Sequence, residues 1–389
     1  MKRLLCFLMI ICFLACKKNA GENLGLPEIT SFAAHVDTIG ATVTIYGLNF
    51  SKTTSNNKVI FNTAEATPFF SANDSLRVVL PVGATTGKIQ VNVYSKNAIS
   101  KDSFYVVTGR WKKMADFVGG QREDAIGFSI GAKGYISMGT GDQNYPDLWE
   151  YTTGPDGWSR RADFPGLPLD GAISFTIQGI AYVGFGSSNI FPYSSLAFYS
   201  YDPQTNNWVR RADPPSLGTS YLNPVGLAIN GKGYVITNSS NLFEYDPALD
   251  QWTVKTGYPG GDRIRPTGFA IGTKGYLVGG AVGNNMAGVQ DCWEYDALAD
   301  TWTKKASVGS EMYNAVGFTI NGKGYAGNDF FYGPVFWEYD PATDHWTMKS
   351  HFPGLAHGYA VSFVINDTAY VSTGGYSNTV TAEVWRFVP

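Results

Sequence analysis

The sequence predicts an all-β protein in which a small antiparallel sandwich precedes a closed ring of six similar sheets. The first reason is composition: of 389 residues, 16% are charged and 15% aromatic, with 45 glycines and 19 prolines, which suits many short strands joined by tight turns. The second is the alternation of apolar and polar residues in segments between residues 26 and 108. The third is a sequence motif that recurs six times between residues 109 and 389.

Composition and charge also exclude several classes of protein. The low charge content excludes a disordered chain and a coiled coil. The formal net charge is −3, so the chain lacks the basic excess with which nucleic-acid-binding proteins neutralise phosphates. We therefore expect no nucleic-acid partner.

The first sixteen residues have the layout of an export signal. Lys2 and Arg3 precede an unbroken apolar run from Leu4 to Leu14, which is too short to span a bilayer as a helix. Ala15 and Cys16 follow, and this pattern resembles the lipobox of bacterial lipoproteins. The resemblance implies that residues 1–15 are removed as a lipoprotein signal peptide and that Cys16 is lipidated. Residues 16–25 then form a polar tether. The alternative is an ordinary secretory peptide.

Residues 26–108 are predicted to form the sandwich. ATVTIYG (41–47) and KIQVNVY (88–94) alternate as half-buried antiparallel strands do, and SLRVVLP (75–81) ends at a proline that cannot continue a ladder. The succession of PEITSF (27–32), GATVTIYGLNF (40–50) and LPVGATTGKIQVNV (80–93) resembles the IPT/TIG immunoglobulin-like domain. The resemblance implies a spacer or a binding accessory.

Residues 109–389 repeat one unit. A motif of the form G-K-G-Y occurs six times, with its tyrosine at 135, 182, 234, 276, 325 and 370. A second motif, of the form W-E-Y-D, follows each copy, and a further tryptophan follows the second motif in the first five copies. The sixth copy lacks its tryptophan segment, but GRWKKMAD (109–116) copies it at the other end. We therefore predict that residues 109–116 pair with the last sheet, because this closes the ring and removes its free edges.

This repeat resembles the Kelch motif, which implies a six-bladed β-propeller of the galactose oxidase central-domain type. Kelch repeats usually carry paired glycines after the second strand. They are intact at Gly279-Gly280 and Gly374-Gly375 and altered in the other copies. All ten tryptophans lie within the repeats, which favours packing between sheets over a role in ligand binding.

Candidate binding residues lie in the loops that meet at one face of the ring, because these segments depart from the repeat. They mix aromatic with polar side chains, which suits a glycan, although a protein ligand or a solvated rim without ligand fits the same pattern. The candidate ligand-binding residues are Arg122, Asp124, Tyr145, Tyr193, Asn223, Arg263, Arg265, Asn285, Tyr313, Phe331 and His357.

Few enzymatic functions fit the sequence, and glycoside hydrolysis by Glu311 with Asp124 or Asp170 is one that stays open. Galactose oxidase needs two copper-binding histidines, and of the four histidines here only His357 is expected at this face, so we expect no metal and no cofactor. Six-bladed Kelch proteins include bacterial sialic-acid mutarotases. Arg263 and Arg265 on one strand face would suit a carboxylate, with Glu311 as proton shuttle; exposed arginines on a loop are the alternative. Glu311 and Arg265 are thus the catalytic candidates.

These observations lead to one functional expectation. We expect a protein anchored to the outer membrane through Cys16, at the cell surface or the periplasmic face, because such domain combinations resemble those of Gram-negative lipoproteins. Its propeller mouth would bind a carbohydrate or a protein. The competing expectation is a sugar-acting enzyme of the mutarotase or epimerase type.

Overall fold

The computed structural model describes residues 25–33, 35–191, 194–215, 223–283, 287–329, 333–355, 358–376 and 379–389. The chain forms two compact units that divide between Val106 and Val107. The predicted all-β class is confirmed, since strands make up nearly all the regular structure of the described residues. Among these residues, no helix is long and apolar enough to cross a membrane.

The first unit is a sandwich of two antiparallel sheets, ordered β1-β3-β7-β6 and β2-β9-β8-β4-β5. Their alternating strands send one row of side chains inward, where Ile45, Val59, Leu76 and Ile89 are fully buried. The strands are β1 (Glu28–Phe32), β2 (Val36–Thr38), β3 (Thr42–Leu48), β4 (Asn57–Phe61), β5 (Ala64–Ala66), β6 (Phe70–Ser71), β7 (Ser75–Val79), β8 (Gly87–Val93) and β9 (Lys96–Val107), with a 3-10 turn at Thr54–Asn56.

The second unit consists of six four-stranded antiparallel sheets, or blades. After β10 (Arg110–Lys113), blade 1 contains β11 (Ile126–Ile130), β12 (Lys133–Ser137), β13 (Leu148–Thr152) and β14 (Gly157–Arg160). Blade 2 contains β15 (Ile173–Ile177), β16 (Ile180–Ser187), β17 (Ser194–Asp202) and β18 (Asn207–Arg210). Blade 3 contains β19 (Val225–Ile229), β20 (Lys232–Ile236), β21 (Leu242–Asp246) and β22 (Gln251–Lys255).

Blades 4 to 6 follow the same plan. Blade 4 contains β23 (Thr267–Ile271), β24 (Lys274–Val278), β27 (Cys292–Asp296) and β28 (Thr301–Lys305), with a ribbon of β25 (Ala281–Val282) and β26 (Ala287–Gly288) between its second and third strands. Blade 5 contains β29 (Val316–Ile320), β30 (Lys323–Asp329), β31 (Gly333–Asp340) and β32 (His345–His351). Blade 6 contains β33 (Val361–Ile365), β34 (Thr368–Ser372), the ribbon of β35 (Gly375–Tyr376) and β36 (Thr379–Val380), and β37 (Val384–Val388).

The last blade takes its outer strand from the start of the unit. β10 pairs antiparallel with β37, with Trp111 opposite Phe387, and the six innermost strands contact one another in a closed cycle in which β11 meets β33. This is the pairing that the offset of the repeat predicts. The start of the unit therefore completes the last blade, and the second unit is a six-bladed β-propeller.

The innermost strands line a channel along the propeller axis. In β11, Ile126, Phe128 and Ile130 are buried between blades, whereas Gly127 and Ser129 line the channel. A side chain at Gly127 would lie 2.6 Å from the carbonyl oxygen of Ser362 in the neighbouring blade. Small residues at this position therefore allow the six inner strands to approach closely.

A repeated clasp joins each outer hairpin to the preceding blade. The hydroxyl of Tyr245 donates to Asp250 at 2.7 Å, and the backbone N–H of Ala212 donates to the same carboxylate at 3.0 Å. The indole of Trp252 donates to the carbonyl of Ala212 at 2.9 Å. The tyrosine and tryptophan of the repeat therefore hold neighbouring blades together.

Candidate functional site

Six residues with left-handed backbone conformation surround one end of the axial channel. Each immediately precedes the small or proline residue that leads into an innermost strand, and each has φ between 52° and 60°. A non-glycine residue in this conformation is uncommon, yet five of these six residues are not glycine. The six blades therefore share one type of turn at this position, which directs the side chain toward the propeller axis. The six, in blade order, are Asp124, Gly171, Asn223, Arg265, Asn314 and Tyr359.

An ion pair crosses the axis within this ring. The guanidinium of Arg265, from blade 4, donates two hydrogen bonds to the carboxylate of Asp124, from blade 1, at 2.7 and 2.9 Å. Blades 1 and 4 are opposite in a ring of six. Asn223 donates a further hydrogen bond to Asp124 at 2.8 Å. Both charged side chains are largely buried, with 13% and 9% of their surface exposed.

The remaining contacts of Arg265 complete a polar network. Its guanidinium lies over the ring of Tyr359, with 4.5 Å between the guanidinium carbon and the ring centroid. With its amide oxygen turned toward Arg265, Asn314 accepts a hydrogen bond from Arg265 at 3.3 Å and one from the backbone N–H of Tyr359 at 3.0 Å. These residues line a cavity of about 140 Å³, below which the channel continues between the inner strands.

Two further carboxyl groups lie next to this network. Burial raises the pKa of Glu123, and the negative charge of Asp124 raises it further. The pKa of Asp170 is raised by the same two causes, while hydrogen bonding from Asn144 opposes the shift. Each carboxyl group belongs to the residue just before a left-handed position, so both lie at the rim. A raised pKa lets each group keep its proton to a higher pH than an ordinary carboxyl group does, which suits proton transfer.

Arg122 and Arg263 do not lie in the mouth, which corrects the prediction that they do. Arg122 is completely buried and donates two hydrogen bonds to Asp147 at 2.6 and 3.0 Å. Arg263 is 6% exposed and donates to Asp291 at 2.7 Å. Each arginine ties the segment before its inner strand to the segment before its third strand. The idea that Arg263 and Arg265 share one face is wrong, because their side chains pair with different carboxylates.

The remaining residues that the sequence predicts for the site make other contacts or lie outside the described residues. The hydroxyl of Tyr145 donates to Asp142, and its ring lies under the guanidinium of Arg122 at 4.0 Å. Tyr313 is 3% exposed, and its backbone N–H donates to Asp329. Arg265 takes Asp124, not Glu311, as its carboxylate partner. Five predicted residues lie outside the described residues: Cys16, Tyr193, Asn285, Phe331 and His357.

Glu123, Asp170, Asn314 and Tyr359 stand in the loops that the sequence predicts at the mouth, although they are not among the candidate ligand-binding residues chosen from the sequence. Their position in the repeat could have identified them, because each stands one or two residues before the alanine that leads into an inner strand. In the described part of the chain, no cluster of three or more His, Cys, Asp or Glu residues is placed to hold a metal ion. Cys292 is completely buried, and burial raises the pKa of its thiol, so it packs as a small apolar residue.

Comparison with known proteins bears on each unit separately. Residues 27–106 match the IPT/TIG domain family. The N-terminal unit is an IPT/TIG domain. Over 70% of the present chain and 95% of the other, the structure is similar to the solved structure described as "Structure of YjhT", with 17% sequence identity and a TM-score of 0.60. At this identity the likeness shows the fold alone. No curated protein matches the chain in sequence.

Proposed function

We propose that this protein binds a carbohydrate at the mouth of its propeller channel. The supporting observation is the network around Asp124 and Arg265, in which polar side chains from blades 1, 3, 4, 5 and 6 converge on the axis. These groups are held by one another before any ligand arrives, so binding costs little reorganisation. Amide, phenol and carboxylate groups are the partners that sugar hydroxyls require.

The size and polarity of the mouth favour a carbohydrate over a protein. A cavity of about 140 Å³ admits the edge of one sugar ring, and the remainder of the ligand would lie above the six-residue ring. Protein interfaces depend on large apolar or aromatic anchors in matching pockets. The residues that line this cavity are instead small, polar or proline, apart from Tyr359.

The ligand is proposed to be a neutral sugar. Arg265 is already neutralised by Asp124, and the carboxyl groups of Glu123 and Asp170 lie beside this ion pair. A carboxylate on the ligand would therefore meet negative charge without an unpaired cation among the described mouth residues named here. Neutral sugars should bind in preference to sialic acids.

Binding and its location are tested together. A glycan array would identify neutral ligands, and isothermal titration calorimetry would then compare the natural protein with Arg265→Ala and Tyr359→Ala. We expect both variants to weaken binding at least tenfold. Val254→Thr is the control, because Val254 is 65% exposed on an outer strand of blade 3. Unchanged affinity in both mouth variants would place the site elsewhere.

Anchoring to the membrane through Cys16 is proposed from the sequence alone. Two or more acyl chains at one cysteine would hold the protein at the outer membrane, whereas a single chain gives only reversible binding. Phase partition with a mild detergent measures this directly. The natural protein should enter the detergent phase and Cys16→Ser should remain in the aqueous phase. Aqueous partition of both proteins would remove the proposal.

A second candidate function is the interconversion of sugar anomers, and the raised pKa values of Glu123 and Asp170 favour it. In this reaction the bond between the anomeric carbon and the ring oxygen breaks. One group donates a proton to the ring oxygen while another removes the proton of the anomeric hydroxyl, and closure on the other face reverses both transfers. Two carboxyl groups with raised pKa values beside the axial network suit these two roles.

Exchange spectroscopy by NMR tests the enzymatic candidate. The rate of anomer exchange would be measured for D-glucose, D-galactose and N-acetylneuraminic acid with and without the protein. Acceleration that is lost in Glu123→Gln or Asp170→Asn supports the assignment. An exchange rate equal to that in buffer for all three sugars eliminates it and leaves binding as the proposed function.

A further inference from the structure

A set of three side chains recurs at the face of the propeller opposite the mouth. In blade 1, the hydroxyl of Tyr135 donates to Glu150 at 2.7 Å and Lys133 pairs with the same carboxylate at 2.7 Å. Blade 3 repeats the arrangement with Tyr234, Lys232 and Glu244. Blades 4 and 5 contain the same residue types, as Lys274, Tyr276 and Glu294 and as Lys323, Tyr325 and Glu338.

Blade 2 lacks two members of this set. Ile180 stands at the lysine position and Ser200 at the glutamate position, while Tyr182 is retained. In blade 1 the glutamate also accepts hydrogen bonds from Arg161 at 2.6 and 3.0 Å. In blade 2 the equivalent Arg211 donates to the hydroxyl of Ser200 at 2.8 Å instead. Tyr182 therefore lacks the glutamate that lies opposite Tyr135, Tyr234, Tyr276 and Tyr325. Blade 6 also departs from the set, since Tyr370 lies opposite Arg386.

A cavity of about 390 Å³ lies beside Ile180, the residue at the lysine position, and beside Tyr182. Blade 2 contributes Gln178, Ile180 and Tyr182, and blade 3 contributes Asn230, Lys232 and Asp246. Gln178 and Asn230 lie in the hairpins between first and second strands, which places the cavity at the end of the channel wall farthest from the six-residue ring. The volume is within the usual range of small-molecule sites, about 300–1,000 Å³.

We propose that this cavity is a second ligand site, which takes a neutral, hydroxyl-bearing molecule about the size of one sugar ring. The hydroxyl of Tyr182 can donate and accept a hydrogen bond, as can the amides of Gln178 and Asn230 at the rim. Ile180 supplies an apolar wall for a ring face. Lys232 lies 3.5 Å from Asp246 and 2.6 Å from Glu244, so a charged ligand would find no unpaired counter-charge there.

The chain itself supplies the variant that closes the cavity. Ile180→Lys combined with Ser200→Glu rebuilds the lysine, tyrosine and glutamate set of blade 1, and Arg211 would then pair with the new carboxylate as Arg161 does with Glu150. This arrangement already folds in other blades. Tyr182→Phe removes only the hydroxyl and is the second, milder variant.

Saturation-transfer difference NMR with D-glucose, D-galactose, D-mannose and N-acetyl-D-glucosamine at millimolar concentration is the test. We expect at least one sugar to give a signal that persists in Arg265→Ala and disappears when the double variant is combined with Arg265→Ala, so that binding at the mouth does not contribute. Tyr182→Phe should weaken binding of that sugar about tenfold, since one hydrogen bond is lost.

Two outcomes would overturn the proposal. One is the absence of a signal from all four sugars in the natural protein. The other is a signal that, in the Arg265→Ala background, survives the double variant or, should that variant fail to fold, is unchanged by Tyr182→Phe. A signal lost only in Arg265→Ala would support the mouth and refute this second site, so the two proposals fail separately.

Discussion

Asp124 and Arg265 form an ion pair that spans the propeller axis, with two hydrogen bonds of 2.7 and 2.9 Å between side chains of opposite blades. The pair joins segments 141 residues apart in the chain. It closes the centre of the mouth and keeps the only arginine of the six-residue ring from acting as a free cation. The charge that a ligand meets at the mouth is therefore set by the neighbouring carboxyl groups.

Arg265→Ala should destabilise the propeller by about 3–5 kcal/mol, because it leaves the largely buried carboxylate of Asp124 without its partner. Urea unfolding followed by tryptophan fluorescence would measure the loss. The double variant Asp124→Ala with Arg265→Ala removes both charges and should recover part of the stability. A cost below about 1 kcal/mol for the single variant would show that the pair behaves as a solvent-exposed one.

Glu123→Gln should stabilise the folded protein at pH 7. Burial and Asp124 raise the pKa of Glu123 above its ordinary value of 4.5 in the folded state, so the folded state binds this proton more tightly than the unfolded state. The charged group then lowers stability above its raised pKa, and this effect disappears as pH falls through the raised pKa to the ordinary one.

Thermal unfolding of the natural protein and the variant at several pH values checks the sign. The melting temperature of Glu123→Gln should exceed that of the natural protein at pH 7, and the difference should shrink toward pH 4. A variant that melts lower than the natural protein at pH 7 would contradict the predicted direction. Asp170→Asn should behave in the same way, for the same two causes.

Asp250→Ala should destabilise blade 3 by about 2 kcal/mol. The substitution removes the acceptor of the Tyr245 hydroxyl and of the Ala212 backbone N–H, and each buried donor left unsatisfied costs about 1–3 kcal/mol. Blade 2 provides the control, because Asn206 makes both equivalent hydrogen bonds. Asp250→Asn should therefore stay close to the natural protein in chemical denaturation. An equal loss of stability in Asp250→Ala and Asp250→Asn would show that these two hydrogen bonds do not hold blades 2 and 3 together.

Gly309→Ala should destabilise the propeller by about 1–3 kcal/mol, because its new methyl group would lie 2.0 Å from the indole of Trp337 and force the ring to move. Gly154→Ala is the matched control, since nothing lies within 4 Å of the position that its methyl group would take. Melting temperatures of the two variants provide the measurement. A Gly309→Ala protein as stable as the control would show that the ring moves without cost.

The fold was more predictable than the site. The six G-K-G-Y motifs and the tryptophan segments depend on local spacing. Their offset at the two ends of the repeat predicts that residues 109–116 pair with the last blade, as β10 does with β37. Arg122 was misplaced because its partner, Asp147, lies 25 residues away in another loop. No local pattern distinguishes a side chain that turns inward to such a partner from one that faces the mouth.

The sequence by itself determined the all-β class, the sandwich that precedes the ring, and the number of blades, because alternation and repetition express short-range packing that every blade shares. Only the tertiary structure decided which charges meet at the axis and where a repeat left space between blades. Asp124 pairs with Arg265, and the cavity beside Tyr182 is completed by residues of blade 3, through contacts between segments that become neighbours only when the blades pack into a ring.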